Sequence, residues 1–381
     1  MKNFAVIGIG RMGGVHARNI VSGKVAGANL IAVCDLDAVK LTKFKEKHPK
    51  VHTYGTHQEL FANEKLDAVI VATPHYDHIP LVCYAIEHGV NVISEKPQSV
   101  AISMAKEGIA VADQHKDVKY GIMFNQRTNR MYAKAKEIIE SGRLGNIKRV
   151  TLTITDWYRS QYYYSMGGWR ASWWGEGGGL LINQCVHQLD VLQWLIGMPN
   201  AITAYAETRC RDITVENDVV AVMEYDGGYK CVFTANGHEI KGTNNLEIAG
   251  DKGKITIGKK KMTFIEFNKT ETEVNATTKR GYGNTSFKVH KYSYGVVQKL
   301  KEIILGGQQA NVLRIFTRAL EGKGEMIADG REGINALSII NGIYLSSYTG
   351  NKKVSLPLDA AAYDAVLAEN KEKEKIILAK K

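Results

Sequence analysis

Six residues near the N-terminus, Gly8-Ile9-Gly10-Arg11-Met12-Gly13, constrain the fold more than any others. An apolar run, Asn3–Gly8, leads into them and reads as a strand. An apparent helix follows from Gly14 to about Val21, and a second strand, Leu30–Cys34, ends in Asp35. Strand, glycine turn, helix, strand and acid in that order form the dinucleotide fingerprint in its proper setting. The glycines permit a tight turn and close backbone approach, and the helix N-terminus faces a pyrophosphate. A carboxylate at Asp35 can accept both hydroxyls of a ribose.

The alternation continues. Asp67–Pro74 reads as a buried strand running into a loop at Thr73 and Pro74, and a helix is expected over Leu81–His88. The strand Asn91–Ser94 precedes Glu95-Lys96-Pro97, and another helix (about Ile102–His115) and the strand Val118–Phe124 complete the pattern. Such alternation predicts an α/β Rossmann domain, a parallel sheet with helices on both faces. Its ligands sit beyond the carboxyl ends of the strands, so Thr73, Lys96 and Asn125 all belong to one ligand edge.

Beyond Phe124 the texture changes. A helix (about Met131–Ser141) leads to strand-like segments at 147–157, 201–211, 218–225, 229–236, 245–249, 254–257 and 262–267. Turns such as Asp226-Gly227-Gly228 and Gly250-Asp251-Lys252-Gly253 separate several of them. These are hairpin signals, and they predict an α+β domain on a large, mostly antiparallel open sheet. A helix over 331–348 and a short strand at Lys353–Pro357 close it. The expected division is 1–124, 125–357 and a charged extension, 358–381, read as an exposed helix or a frayed tail.

Composition narrows the class. At 381 residues two domains are natural, and no apolar run approaches a membrane span. Met1-Lys2-Asn3 passes straight into strand-like sequence, so no secretory leader is expected. Five cysteines without CxxC pairs point to a reducing, cytoplasmic setting with neither disulfides nor structural zinc. The formal charge of +11 comes from dispersed lysines, often beside glutamates, and neither nucleic acid nor membrane is an expected partner.

Two stretches of the second domain carry chemistry. Glu176–Gly197 opens on glycines, closes on Gly-Met-Pro and reads as one largely buried helix. Asn183, His187 and Asp190 fall at i, i+4 and i+7 along one face, and a buried polar line needs partners or a cleft. Upstream, Trp157-Tyr158-Arg159, Tyr162-Tyr163-Tyr164, Trp169-Arg170 and Trp173-Trp174 hold four of the five tryptophans. Rings with interspersed arginines suit a polyhydroxylated ligand, whose C–H faces pack on them. A subunit interface or plain core packing would use the same residues.

The fingerprint with Asp35, Glu95-Lys96-Pro97, Trp169-Arg170, and a glycine-led helix with His187 and Asp190 together resemble the Gfo/Idh/MocA family of sugar and cyclitol oxidoreductases. The resemblance covers about residues 3–357. It implies NAD as cofactor, held by Gly8, Ile9, Gly10, Arg11, Met12, Gly13, Asp35, Thr73, Pro74, His78, Glu95 and Lys96. It makes Lys96 and His187 the catalytic pair and implies a cis bond before the EKP proline. Asn125, Arg127, Tyr158, Trp169, Arg170, Asn183 and Asp190 are expected at the substrate. A homodimer or homotetramer through the open sheet is implied as well.

Inositol-type members usually carry an aspartate four residues before the histidine, where this chain has Asn183. The longer stretch, from Trp169-Arg170 through the glycine run to His187 and Asp190, is more similar to the levoglucosan and glycoside 3-dehydrogenase branch. The expected activity is therefore NAD-dependent oxidation of a secondary hydroxyl, C3 by that branch likeness, of a sugar or glycoside. The rivals are an inositol 2-dehydrogenase, a glycoside hydrolase using NAD transiently, and a non-enzymatic cofactor sensor. Intact Lys96 and His187 argue against the last.

Overall fold

The computed structural model describes residues 1–293, 295, 300 and 302–380, which form two compact units. The first contains 1–128, 175–177 and the described part of 299–337. The second contains 129–174 and the described parts of 178–298 and 338–381.

In the first unit six parallel strands form one sheet: β1 (Lys2–Ile7), β2 (Ala28–Cys34), β3 (His52–Tyr54), β4 (Ala68–Val71), β5 (Asn91–Ser94) and β6 (Tyr120–Ile122). Helices α1 (Arg11–Val21), α2 (Ala38–Lys47), α3 (His57–Asn63), α4 (His78–Glu87) and α5 (Ile102–Gln114) connect them. Every residue of β4, Ala-Val-Ile-Val, is buried, as a strand covered on both faces requires. The strand order β3-β2-β1-β4-β5-β6 reverses at β1 and β4, which puts the loops after these two strands side by side. This is the Rossmann sheet expected from the sequence.

One part of this unit returns late in the chain. Helix α10 (Gly307–Leu320; α6 to α9 are described below) buries Ala310, Val312, Leu313 and Phe316 in one cluster with Phe4, Val6 and Ile20. The rings of Phe4 and Phe316 meet edge to face, centroids 6.3 Å apart.

The second unit is built on nine strands: β7 (Ile147–Ile154), β8 (Ala201–Glu207), β9 (Asp218–Glu224), β10 (Lys230–Asn236), β11 (Asn244–Gly250), β12 (Gly253–Gly258), β13 (Lys261–Phe267), β14 (Phe287–Ser293) and β15 (Val354–Ser355). Their order is β14-β13-β12-β11-β7-β10-β9-β8-β15; β7 and β10 run parallel, and the other pairs are antiparallel. The Asp226–Gly228 and Gly250–Gly253 turns join antiparallel neighbours, as read from the sequence. Strand β14 is not anticipated there, because Phe-Lys-Val-His-Lys-Tyr-Ser is mostly exposed at the sheet edge and offers no clean inward apolar alternation.

The helices here are α6 (Arg130–Glu140), α7 (Gln161–Ser165), α8 (Val186–Ile196), α9 (Glu271–Thr277) and α12 (Ala360–Leu378), while α11 (Gly333–Tyr348) begins in the first unit. Two expectations need correction. The glycine-led helix is not one α-helix: Leu181–Cys185 forms a π turn before α8 begins. A π turn pairs residues five apart, which offsets Asn183 from the line carrying His187 and Asp190. The C-terminal extension is neither frayed nor simply exposed. Helix α12 buries Tyr363, Val366, Leu367, Asn370 and Glu374, a stripe at helical spacing.

Candidate active site

In the first unit the glycine turn is shaped by close approach. Gly8 has φ +86°, and a Cβ at Gly13 would lie 1.7 Å from the Gly8 carbonyl oxygen, so neither position admits a side chain. A Cβ at Gly10 would meet nothing within 4 Å, which leaves the helix N-terminus open to a ligand. Asp35 Oδ2 accepts the Ile9 N–H at 2.8 Å and Oδ1 accepts the Asp37 N–H at 2.9 Å. One carboxylate thus ties the glycine turn to the end of β2, with a further lone pair on each oxygen for a ribose. Arg11 is exposed, Met12 half-buried and Leu36 90% exposed beside it. Thr73 Oγ1 is buried without a hydrogen-bond partner among the described residues, while Thr73 Cγ2 packs against Gly8. An open helix end, a ribose-type carboxylate and an orphaned hydroxyl fit a dinucleotide.

The loops after β4, β5 and β6 supply the other residues of this edge. His78 is buried; its Nδ1 lies 2.7 Å from the Pro97 carbonyl and its Nε2 3.0 Å from the Thr73 carbonyl. Burial pushes its pKa below the ordinary value, so two carbonyls compete for the one N–H of a neutral ring. It ties the loop after β4 to the Glu95-Lys96-Pro97 turn. The Lys96–Pro97 bond is cis, as the resemblance implied. Glu95 is buried, with Oε2 accepting the Lys96 N–H at 3.2 Å and Oε1 lying 2.8 Å from His16 Nε2. Pro74 and Lys96 are half-buried.

Asn125 is buried with Nδ2 donating to Gln308 Oε1 at 3.2 Å, and its Oδ1 has no hydrogen-bond partner among the described residues. Arg127, expected at the substrate, is buried in an ion pair with Glu332 at 2.6 Å and stacks on Phe124. That guanidinium is committed to the protein.

In the second unit the glycine run and π turn rest on a residue that the sequence reading missed. Glu216, just before β9, is fully buried. Its Oε2 accepts the Gly179 N–H (2.9 Å), and its Oε1 accepts the Leu181 N–H (2.8 Å) and the Tyr344 hydroxyl (3.0 Å). A Cβ at Gly179 would overlap the Glu216 carbonyl oxygen at 2.1 Å, and one at Gly178 the Tyr344 hydroxyl at 2.1 Å. The glycines are there because the Glu216 backbone carbonyl and the Tyr344 side chain occupy the space a Cβ would need. Burial pushes the Glu216 carboxyl up to about 7 against the pull of these donors.

Asn183 and His187 are half-buried, whereas Asp190 is fully buried and accepts from Gln193 Nε2 at 3.0 Å. The aromatic tract divides. Trp173 is core: its ring is buried against Tyr344 and Tyr348, and Nε1 donates to the Thr214 carbonyl at 3.0 Å. Trp174, Tyr158 and Tyr162 are exposed. Arg170 lies over the Trp169 ring at 4.9 Å, Arg159 over Tyr163 at 4.7 Å and Arg211 over Tyr158 at 5.3 Å. Among the described residues no group of three His, Cys, Asp or Glu side chains is placed to hold a metal ion.

Two family models match the chain. Residues 2–123 fit the model described as "Oxidoreductase family, NAD-binding Rossmann fold", and residues 132–256 fit the "GFO/IDH/MocA C-terminal domain". An inositol 2-dehydrogenase of Rhizobium meliloti is 24% identical over 351 residues, 88% of this chain and 94% of its own length. The WlbA dehydrogenase of Bordetella pertussis, solved with NADH and UDP-GlcNAcA, superposes with a TM-score of 0.79 at 25% identity, over 94% of this chain and 98% of that one. A levoglucosan dehydrogenase solved with NADH and levoglucosan shares the fold, with a TM-score of 0.76 at 20% identity over 93% and 99% of the two chains.

Proposed function

Because the chain belongs to the Gfo/Idh/MocA oxidoreductases and is an NAD-binding enzyme of sugar-type CH–OH groups, we propose that it oxidises a glucose-type glycoside at the C3 hydroxyl to a keto sugar. NAD is held by the Gly8–Gly13 turn, Asp35 and the loop at Thr73, and when bound it supplies the hydride acceptor. The hydroxyl proton goes to the chain's own groups. The Lys96 amine nitrogen takes it, or His187 through a ring nitrogen lone pair. Asn183 donates to a substrate hydroxyl, and buried Asp190 keeps this part of α8 in place.

The observation that carries the glycoside reading is the set of accessible rings with stacked cations in this tract: exposed Tyr158 with Arg211, half-buried Trp169 with Arg170, and exposed Trp174. Such a surface packs on a pyranose and its aglycone. An inositol offers no aglycone and favours a closed polar cage, which Asn183 serves less well than an aspartate. The second reading, an inositol 2-dehydrogenase, is favoured by the Rhizobium meliloti relative along most of both chains. A panel of glycosides, free sugars and inositols, followed by NADH absorbance and product NMR, separates the two. A higher kcat/KM for myo-inositol than for any glucoside, or oxidation at C1, overturns the glycoside proposal. Aglycone release without NADH accumulation identifies the hydrolase.

Assembly into dimers or tetramers through the nine-stranded sheet belongs to the same proposal. Its support is exposed Tyr205, Val220 and Val232, which share one face by register. A reducing, cytoplasmic setting suits five free cysteines, and none of the helices among the described residues is long and apolar enough to cross a membrane.

A further inference from the structure

Helix α12 lies outside both family matches, which end at residue 256, and its charged sequence gives no hint of a site. One of its carboxylates is nevertheless almost wholly buried: Glu374 is 2% exposed, while Glu369 and Glu372 stand in solvent. Burying a carboxylate costs several kcal/mol unless its lone pairs are filled. Glu374 Oε2 accepts the backbone N–H of Trp174 at 3.1 Å, and Oε1 accepts the Thr214 hydroxyl. Thr214 in turn receives the Trp173 indole N–H on its carbonyl at 3.0 Å. One side chain of the C-terminal helix therefore secures two consecutive tryptophans.

The held segment is under local strain. Ala171 adopts a left-handed φ of 51°, which an alanine takes only when its surroundings impose it. Ser172 Oγ closes the turn onto the Trp169 carbonyl at 2.7 Å, and Trp169 carries the stacked Arg170. A second contact of α12 reaches the same framework: Tyr363 is fully buried with its ring stacked on Tyr344, whose hydroxyl donates to Glu216.

We propose that Glu374 is a positioning residue for the sugar-binding segment Trp169–Trp174, so that the C-terminal helix sets substrate affinity without touching substrate. The proposal rests on the reading that this segment contacts the sugar. Glu374 offers separate acceptors to Trp174 and Thr214, and its removal takes the acceptor from the amide and leaves the hydroxyl only the Ala171 carbonyl at 3.4 Å. The segment then relaxes from the strained turn, and Trp169 and Arg170 lose their fixed face. Cofactor affinity is untouched, since the glycine turn and Asp35 belong to the other unit.

The test uses the full chain as Glu374→Ala, Glu374→Gln and Thr214→Val, with Asn370→Ala as control. Asn370 is buried on the same helix but bonds to that helix's own Val366 carbonyl, so its loss probes helix stability alone. Hydrogen–deuterium exchange over 169–174 and steady-state kinetics with methyl glucoside and myo-inositol are measured together. Loss of one charge-assisted hydrogen bond corresponds to about tenfold or more. Glu374→Ala and Thr214→Val are expected to speed exchange at 169–174 and raise KM by about tenfold, with kcat within about twofold and NAD affinity unchanged. Glu374→Gln, which keeps one acceptor, restores part of the effect, and Asn370→Ala lowers the melting midpoint without moving KM. Unchanged exchange in both Glu374 variants, or an equal KM effect in Asn370→Ala, overturns the proposal. Faster exchange with an unchanged KM keeps the brace and overturns the sugar-contact reading instead.

Discussion

His16 on α1 and Glu95 after β5 form a buried pair, Nε2 to Oε1 at 2.8 Å, that joins the glycine-turn helix to the backbone of Lys96. The carboxylate has its other oxygen on the Lys96 N–H, so the pair fixes the lysine's starting point from behind. His16→Leu leaves a buried carboxylate without that partner, at a cost on the order of 3 kcal/mol. The expected outcome is a lower melting midpoint and a kcat reduced by about tenfold or more, with partial rescue by His16→Gln, which retains a donor. Kinetics and thermal unfolding of both variants check this. Normal kcat in His16→Leu would show that Lys96 needs no such support.

Cofactor preference should turn on Asp35. A carboxylate at this place can accept from a ribose diol and repels a 2′-phosphate. It also holds the Ile9 N–H, and Lys40 Nζ already lies 3.7 Å from Oδ1. Asp35→Ser is expected to weaken NAD binding by about tenfold to a hundredfold while improving NADP, because the ammonium of Lys40 remains to meet the phosphate. Titration of both dinucleotides against both proteins decides. Wild-type enzyme that works equally well with NADP contradicts the assignment.

If Lys96 and His187 share proton transfer, Lys96→Ala and His187→Ala each lower kcat by roughly 10²–10⁴ and leave NAD affinity nearly unchanged. The double variant should be little worse than the poorer single one, because groups acting as a unit fail together. Additive losses would mean that the two residues serve separate steps. Near-normal kcat in either single variant makes that residue structural.

What the sequence showed and what it hid divide by distance along the chain. The glycine turn, Asp35 and the Glu95-Lys96-Pro97 turn are local patterns, each readable within a window of a few residues. Glu216 is not, because its donors sit at 179, 181 and 344, and a lone glutamate before a strand carries no mark of burial. Helix α12 hid its buried stripe for a related reason: Asn370 and Glu374 occupy inward positions that an apolar residue would have advertised. Trp173 and Trp174 are adjacent and chemically identical, yet one is core and the other exposed. Only the fold of the backbone between Ser172 and Gly178 tells them apart.

The buried carboxyl of Glu216 makes the stability of the second unit pH-dependent, with a sign that can be worked out. Burial raises its folded-state pKa from 4.5 to about 7, so between those values the folded chain holds a proton that the unfolded chain has released. Stability contributed by the protonated form is complete below 4.5 and lost as pH rises through that window, by an amount on the order of 3 kcal/mol. Glu216→Gln imitates the protonated carboxyl and does not titrate. All five tryptophans, at 157, 169, 173, 174 and 194, lie in the second unit, so denaturant unfolding followed by tryptophan emission reports on it specifically. Relative to Glu216→Gln, the wild-type protein is expected to lose stability from pH 5 to pH 8. No loss over the same interval would mean that the Gly179, Leu181 and Tyr344 donors outweigh burial and hold Glu216 as a carboxylate throughout.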